Sequence, residues 1–242
     1  IWGLCPGRYT RKNRLTPGSI AADLAGLPDL SGFRSQNERA EYGRAYRREA
    51  ALQRAPSPPV RVDPSCATPG KGRQEVVILG SAGQRIVTAG ELLCLAGAAA
   101  GCHAAQKNDY PITVMRGHSV SEVILSETGI GYTGIQDPSV VIALAPEGVG
   151  RRKGMLSGLS PEALVIREAA TALPPTAAAV IDVDFKDKKI KSPDWALAAL
   201  AVLAGERRVL TPEMLEAALR LRFKGTLLDA ALAVVEKAGS AI

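Results

Sequence analysis

The sequence predicts an α/β fold, a doubly wound, mainly parallel sheet with helices on both faces, preceded by an extended N-terminal arm. Three observations carry this. From residue 74 onward, short apolar runs rich in β-branched residues alternate with Ala/Leu-rich stretches, and near-continuous apolar strands separated by helices belong to parallel sheets covered on both sides. The first run ends at a glycine and leads directly into a helical stretch, the strand, glycine loop and helix order of the doubly wound class. Aromatic residues make up only 4% of the 242 residues while 46% are hydrophobic, so the core is built from Ala, Val, Leu and Ile, which suits close packing of helices on a sheet.

One α/β domain is expected over residues 74–242, preceded by an arm over residues 1–73 that is not itself a domain. The arm holds eight of the sixteen prolines and 13 Lys and Arg against 6 Asp and Glu, whereas the remainder holds 17 against 18. The formal net charge of +6 therefore belongs to the extension. Such a segment buries too little apolar surface by itself to offset the entropy of ordering it, and it is expected to drape over partner subunits. A helix is expected over 36–54, where Tyr42 and Tyr46 stand one turn apart among Arg39, Arg44, Arg47 and Arg48. No nucleic-acid motif accompanies the charge, so no nucleic-acid partner is expected.

The elements of the domain follow in order. Residues 75–79 (EVVIL) read as a strand closed by Gly80, and 81–84 open a long helix reaching about residue 101. A dense polar block with a Tyr110-Pro111 hinge separates it from strands expected at 121–125, 140–145, 163–166 and 178–183. Residues 194–204 are nearly all apolar and read as a buried helix; Thr211 is placed to cap the next, with Pro212 at its first position, running to about residue 222. Gly225 then separates a last helix over 226–237.

Several chemistries are disfavoured. The longest weakly polar stretch, 92–105, is interrupted by His103 and falls short of a membrane span. The first residues, with Cys5, Pro6 and Arg8, show no secretory pattern, and a cytoplasmic location is expected. Cys5, Cys66, Cys94 and Cys102 lack the spacings of a disulfide framework, a zinc site or an iron–sulfur site, so this chain is expected to hold no metal. With two histidines and no Ser/His/Asp or Cys/His constellation in view, self-contained hydrolysis is not expected.

The sharpest local signal is the loop Gly80-Ser81-Ala82-Gly83-Gln84. Glycines between a strand end and a helix start let the backbone approach an anion, and the helix N-terminus favours phosphate there. A tight strand-to-helix turn is the plainer reading of the same residues. The spacing is not GxGxxG, since Arg85 fills the third glycine position, and no Walker lysine follows. The second signal is the polar block from Gln106 through Asp109 and Tyr110 to Met115, Arg116, Gly117, His118, Ser119 and Glu122, a poor core and a suitable site rim near a strand end. His118 reads more readily as a hydrogen-bonding surface residue than as an acid or base. His103 reads as structural, within the first helix beside Cys102, and Cys94 and Cys102 as small packing residues two turns apart on it. Asp182 and Asp184 read equally as functional carboxylates and as a solvated strand end.

Together the GSAGQ loop, the following Val87-Thr88-Ala89-Gly90-Glu91-Leu92-Leu93, the block Arg116-Gly117-His118-Ser119, and the strands SEVIL and VVIALAPEGV resemble the gamma subunit of the 2-oxoacid:acceptor (pyruvate/2-ketoisovalerate ferredoxin) oxidoreductase superfamily, over about residues 74–238. That family's loop usually reads Gly-x-Gly-Gly-Gln-Gly, so Ala82 and Arg85 replace its second and last glycines; its Arg-Gly-Gly-x-Ser block is also altered. Ala82 then needs an ordinary backbone conformation, and Arg85 sets a cation at the helix start, towards a phosphate or a neighbouring subunit.

The resemblance implies a subunit of a complex that turns a 2-oxoacid and coenzyme A into acyl-CoA and CO2, with electrons passed to ferredoxin or an NAD-reducing subunit. Thiamine diphosphate, Mg2+ and [4Fe-4S] clusters would sit on partner subunits. Gly80, Ser81, Gly83 and Gln84 would hold the phosphates or adenosine end of coenzyme A, with Arg116 and Ser119 near the channel to the thiamine site. No catalytic side chain is implied on this chain. The basic arm, with KNDYPITVMRGHS, looks like the branch acting on aromatic 2-oxoacids such as phenylglyoxylate.

Two other readings compete: a stand-alone NAD-binding oxidoreductase, disfavoured because no acidic residue lies about 20 positions beyond the loop, and a non-catalytic scaffold that has lost its ligand.

Overall fold

A computed structural model describes residues 66–69, 71–111 and 116–239. Nearly all of the expected arm, with its 36–54 helix, lies outside them. The folded domain is one six-stranded sheet in the order β2-β3-β1-β4-β5-β6. Its strands are β1 (Arg73–Ser81), β2 (His103–Asp109), β3 (His118–Ser126), β4 (Val140–Ala143), β5 (Leu164–Glu168) and β6 (Ala179–Val183). From β1 through β4 and β5 to β6 the pairing is parallel; β3 runs antiparallel between β1 and β2. The predicted α/β class and mainly parallel sheet hold.

Alternation along the strands sorts side chains between two layers. Val76 and Ile78 of β1, with Val123, Ile142 and Ile166, face helices α1 (Ile86–Ala99), α4 (Trp195–Glu206), α5 (Pro212–Arg222) and α6 (Thr226–Gly239). Val77 and Leu79, with Val120, Val141 and Val165, face the opposite side, covered by α2 (Pro146–Arg151) and α3 (Lys153–Ser157) through Val149 and Leu156. Both interleaved sets in β1 are fully buried, which is why this strand reads as a continuous apolar run. Each fully buried Val, Leu or Ile contributes roughly 1.5–3 kcal/mol.

Helix α1 is apolar over most of its circumference, Glu91 being its one charged residue, because the sheet covers one side and α5 another. Its small residues bring it close to the sheet: a Cβ on Gly90 would run into Ser121 Oγ and the Gln106 carboxamide, and one on Gly97 would meet Leu125 Cδ2 at 2.6 Å. Thr211 caps α5 as expected, its Oγ1 accepting from the Met214 amide at 3.2 Å, with Pro212 following. Phe185 stacks on Trp195, whose indole N–H donates to the Ile190 carbonyl at 2.9 Å, fixing the start of α4.

Three details differ from the sequence reading. The first helix ends at Ala99, so Cys102 and His103 are off it: the Cys102 amide closes onto the Gly97 carbonyl at 2.9 Å, and His103 opens β2 as an exposed residue. The polar stretch after it is the edge strand β2, HAAQKND, whose exposed and half-buried residues hide its strand character; polar and charged side chains suit an edge that must not pair further. The short helices α2 and α3 have no apolar periodicity of their own. The folded unit also reaches back before residue 74, since the Cys66 amide donates to the Ala99 carbonyl at 3.1 Å and Arg73 opens β1.

Candidate functional site

The glycine loop joins β1 to α1. Gly83 has φ +93°, which favours glycine. Gln84 is only 4% exposed, and its carboxamide ties the loop together: Oε1 accepts the Ser81 amide at 2.8 Å while Nε2 donates to Ser192 Oγ at 3.3 Å. Arg85 stands at the N-cap of α1 in the left-handed conformation, φ 55°, with no side-chain cap on the helix. Among the described non-glycine residues, positive φ occurs at Arg85, Lys189 and Arg207, so Ala82 has an ordinary backbone. The Arg85 guanidinium reaches Asp194 Oδ1 at 2.7 Å. Its partner is thus within this chain, on the short 3-10 turn Ser192–Asp194 that leads into α4.

The structure brings the two sequence signals together. In the antiparallel pair β1 and β3, Gly80 lies opposite Ser119 and Ser81 opposite His118, and the Ala82 amide donates to the Gly117 carbonyl at 3.0 Å. Ser119 is buried beside Gly80, while Arg116 is exposed at the mouth of β3. All six expected site residues therefore gather at the carboxyl end of β1. This is also a switch point, since α1 leaves the sheet on one face after β1 and α2 on the other after β4, and ligands of open α/β sheets bind outside the strand ends there.

On the α2 side a set of residues appears that the sequence reading did not assemble. Helix α2 seats directly on the loop's base: a Cβ on Gly148 would collide with the Gly80 amide nitrogen and approach the Leu79 carbonyl carbon at 2.7 Å. Asp109, at the end of β2, receives Arg151 Nε at 2.9 Å, Arg152 Nη2 at 3.2 Å and His118 Nε2 at 3.2 Å. Arg152 also bonds Glu122 at 2.9 Å, and Lys107 lies 3.7 Å from that carboxylate. The hydrogen bond from Arg151 is the main cause that lowers the Asp109 carboxyl to about 2, with His118 and the positive charges of Arg151 and Arg152 adding to it against the opposing effect of burial. Asp109 and His118 stood in the polar block noted in the sequence, but only the register of β2 against β3 places them together. Arg151 and Arg152 carried no sequence signal beyond being a basic pair.

Other candidates are structural. Asp182 forms a two-point pair with Arg167, at 2.6 and 2.7 Å. Asp184 Oδ1 accepts the Lys186 and Asp187 amides, both at 2.9 Å, and so shapes the turn after β6. The buried Glu75 accepts the Gln136 and Asp137 amides at 2.7 and 2.9 Å and pairs with Arg73, anchoring the 127–139 loop at the opposite end of β1. An open groove of about 410 Å³, lined by Cys66, Pro69, Arg207 and Thr211 among others, lies by the far end of α1 and contains none of the expected site residues. Among the described residues no three His, Cys, Asp or Glu converge as metal ligands, and no helix is long and apolar enough to cross a membrane.

With that geometry in place, comparison with protein families decides the affiliation: the pyruvate ferredoxin/flavodoxin oxidoreductase model matches residues 75–241. The chain belongs to this family. Solved structures agree on the fold. The gamma subunit of the keto/oxoacid ferredoxin oxidoreductase of Geobacter sulfurreducens PCA superposes with a TM-score of 0.59 at 20% identity, over 70% of this chain and 95% of that one. The pyruvate oxidoreductase subunit PORC of Thermotoga maritima gives 0.55 at 16% identity, over 70% and 97%. The 2-oxoglutarate:ferredoxin oxidoreductase of Magnetococcus marinus, solved with 2-oxoglutarate, coenzyme A and succinyl-CoA bound, gives 0.60 at 18% identity, over 71% of this chain and 32% of that one. No curated protein matches. Arg85, at the end of the loop, keeps a backbone conformation that glycine favours.

Proposed function

We propose that this chain is the gamma-type subunit of a thiamine-dependent, coenzyme A-acylating 2-oxoacid oxidoreductase, and that its glycine loop helps to hold coenzyme A. The observation that carries the reading is the convergence of Gly80, Ser81, Gly83 and Gln84 with Arg116 and Ser119 at the sheet's switch point, beside the uncapped N-terminus of the 14-residue helix α1.

The amides of Ser81, Ala82 and Gln84 already have partners within the loop and at Gly117, just before β3. The first turn of α1, which has no side-chain cap, is then the natural donor set for a phosphate. Gln84 acts by shaping the loop, because both ends of its carboxamide are spent on Ser81 and Ser192. Gly83 lets the chain turn without a side chain between the helix and its ligand. Arg116 at the rim adds positive charge that favours an anion. The contribution to rate is positional: a thiol donor held in place reacts far faster than one in solution. Thiamine diphosphate and iron–sulfur clusters, on partner subunits, would supply the decarboxylation and electron transfer, with ferredoxin or an NAD-reducing subunit as acceptor. An aromatic 2-oxoacid such as phenylglyoxylate is the substrate to try first, given the basic arm and the 107–119 segment.

The test is native purification of the tagged chain with its partners, followed by coenzyme A binding and coenzyme A-dependent oxidation of a 2-oxoacid panel. Gly83→Asp puts a carboxylate at the N-terminus of α1 and should weaken coenzyme A binding at least about tenfold in the assembled complex. Undiminished binding would leave the chain a scaffold; a colourless monomer without partner subunits would return attention to a stand-alone nucleotide-binding protein.

A further inference from the structure

We infer that the loop has a second anion-binding station on its α2 side, formed by His118 and Arg151 around Asp109, which takes the ribose 3′-phosphate of coenzyme A. This rests on the coenzyme A reading above and adds to it the group that distinguishes coenzyme A from its dephosphorylated form.

The argument begins with placement. Residues directly opposite in an antiparallel pair share a sheet face, so His118 stands on the same side as Ser81, next to the loop. Asp109, on the neighbouring strand, holds the ring through Nε2 at 3.2 Å and Arg151 through Nε at 2.9 Å. These contacts orient both groups without using the terminal guanidinium nitrogens of Arg151; with Nε2–H given to Asp109, His118 has a second N–H for the anion only as the imidazolium, the form that a phosphate beside it favours. Arg151 is half exposed, while Arg152, 22% exposed, bridges Asp109 and Glu122 and serves to brace the cluster.

Charge supports the same assignment. Lys107, Arg151 and Arg152 face Asp109 and Glu122, an excess of one positive charge before His118 is counted. A purely structural network has no need of a surplus cation at the solvent-facing rim of a loop built for close approach. Two chemically different phosphates call for two kinds of donor. A pyrophosphate suits the backbone amides at a helix N-terminus, whereas a phosphate monoester, with its higher charge, suits the planar fork of an arginine.

The experiment compares KM for coenzyme A and for 3′-dephospho-coenzyme A in the complete native complex. The wild-type complex is expected to favour coenzyme A by about tenfold or more. Arg151→Met and His118→Gln should each reduce that preference, by raising KM for coenzyme A while leaving KM for the dephosphorylated form unmoved. The dephosphorylated substrate is the internal control, since a variant that merely misfolds or fails to assemble loses turnover with both. Equal KM values in the wild type, or a ratio unchanged in both variants, overturns the station. If Gly83→Asp raises both KM values while Arg151→Met leaves their ratio alone, only the station fails. If Gly83→Asp leaves coenzyme A unaffected, the parent reading fails and the station with it.

Discussion

On one face of the sheet α1, α4, α5 and α6 form a thick apolar layer in which residues such as Leu93, Ala96, Leu200 and Leu203 are fully buried. On the other face α2 and α3 cover a thin apolar patch, and towards β2 and β3 it gives way to the ion pairs of Asp109, Glu122, Arg151 and Arg152. The first face is stabilised by area, which tolerates local change; the second depends on the position of one six-residue helix and a few charged atoms. The glycine loop lies at the boundary, bonded to Ser192 and Asp194 on the first side and pressed by Gly148 from the second.

The sharpest way to break this contrast is to add one methyl group to each side. Gly148→Ala meets the backbone of Leu79 and Gly80, which cannot swing away, and should cost about 2–3 kcal/mol with a distorted loop. Gly90→Ala meets side-chain ends, the Ser121 hydroxyl and the Gln106 carboxamide, which can turn away only by giving up their hydrogen bonds at about 1 kcal/mol each; a helix-propensity gain of about 1 kcal/mol offsets part of this, so its net cost should be about 1 kcal/mol, below that of Gly148→Ala. Denaturant unfolding of both variants checks the difference, and equal losses would sink the contrast.

A smaller effect separates the charged side from the apolar one. Asp109 titrates well below an ordinary aspartate because Arg151, His118 and Arg152 favour its ionised form. Its stabilisation is present above about pH 4, the unfolded value, and is lost as pH falls towards the folded value of about 2. Thermal unfolding between pH 5 and 2, at low salt, should therefore fall less steeply in Asp109→Asn than in the wild type.

Smallest is Arg85→Gly. Removing a side chain from a left-handed residue relieves roughly 1 kcal/mol, while losing an exposed pair to Asp194 costs about 0–1 kcal/mol. The melting temperature should barely move, and a large drop would show that the tie to the Ser192–Asp194 turn is the loop's main support.

What was legible in the sequence follows the same division. The strands EVVIL and SEVIL and the buried helix over 194–204 announced themselves because burial on more than one side leaves a continuous apolar run. The loop residues 80–84 and the Arg116 to Ser119 block were visible as local chemistry, yet their meeting depends on β3 folding back antiparallel onto β1, which no local pattern specifies. Strand β2 was missed because it is an edge with polar side chains, and the Asp109 cluster because its members come from β2, β3 and the α2 region, 42 residues apart at the Asp109 to Arg151 contact. Arg85 was placed at the helix start correctly, but its direction depends on Asp194, far along the chain.

Helix α1 also carries a chemical reporter of its surroundings in Cys94, which packs partly buried against the core. Burial, with Glu91 adding to it, pushes the Cys94 thiol up to about 11. Since the thiolate is the reactive form, only about one molecule in ten thousand has it at neutral pH in the folded state, against a few per cent for an ordinary cysteine. Alkylation of Cys94 at neutral pH, followed peptide by peptide, is therefore expected to run far slower than that of the same cysteine in the unfolded chain and to quicken as pH rises; a rate equal to the unfolded one would show that its burial against the core is not maintained.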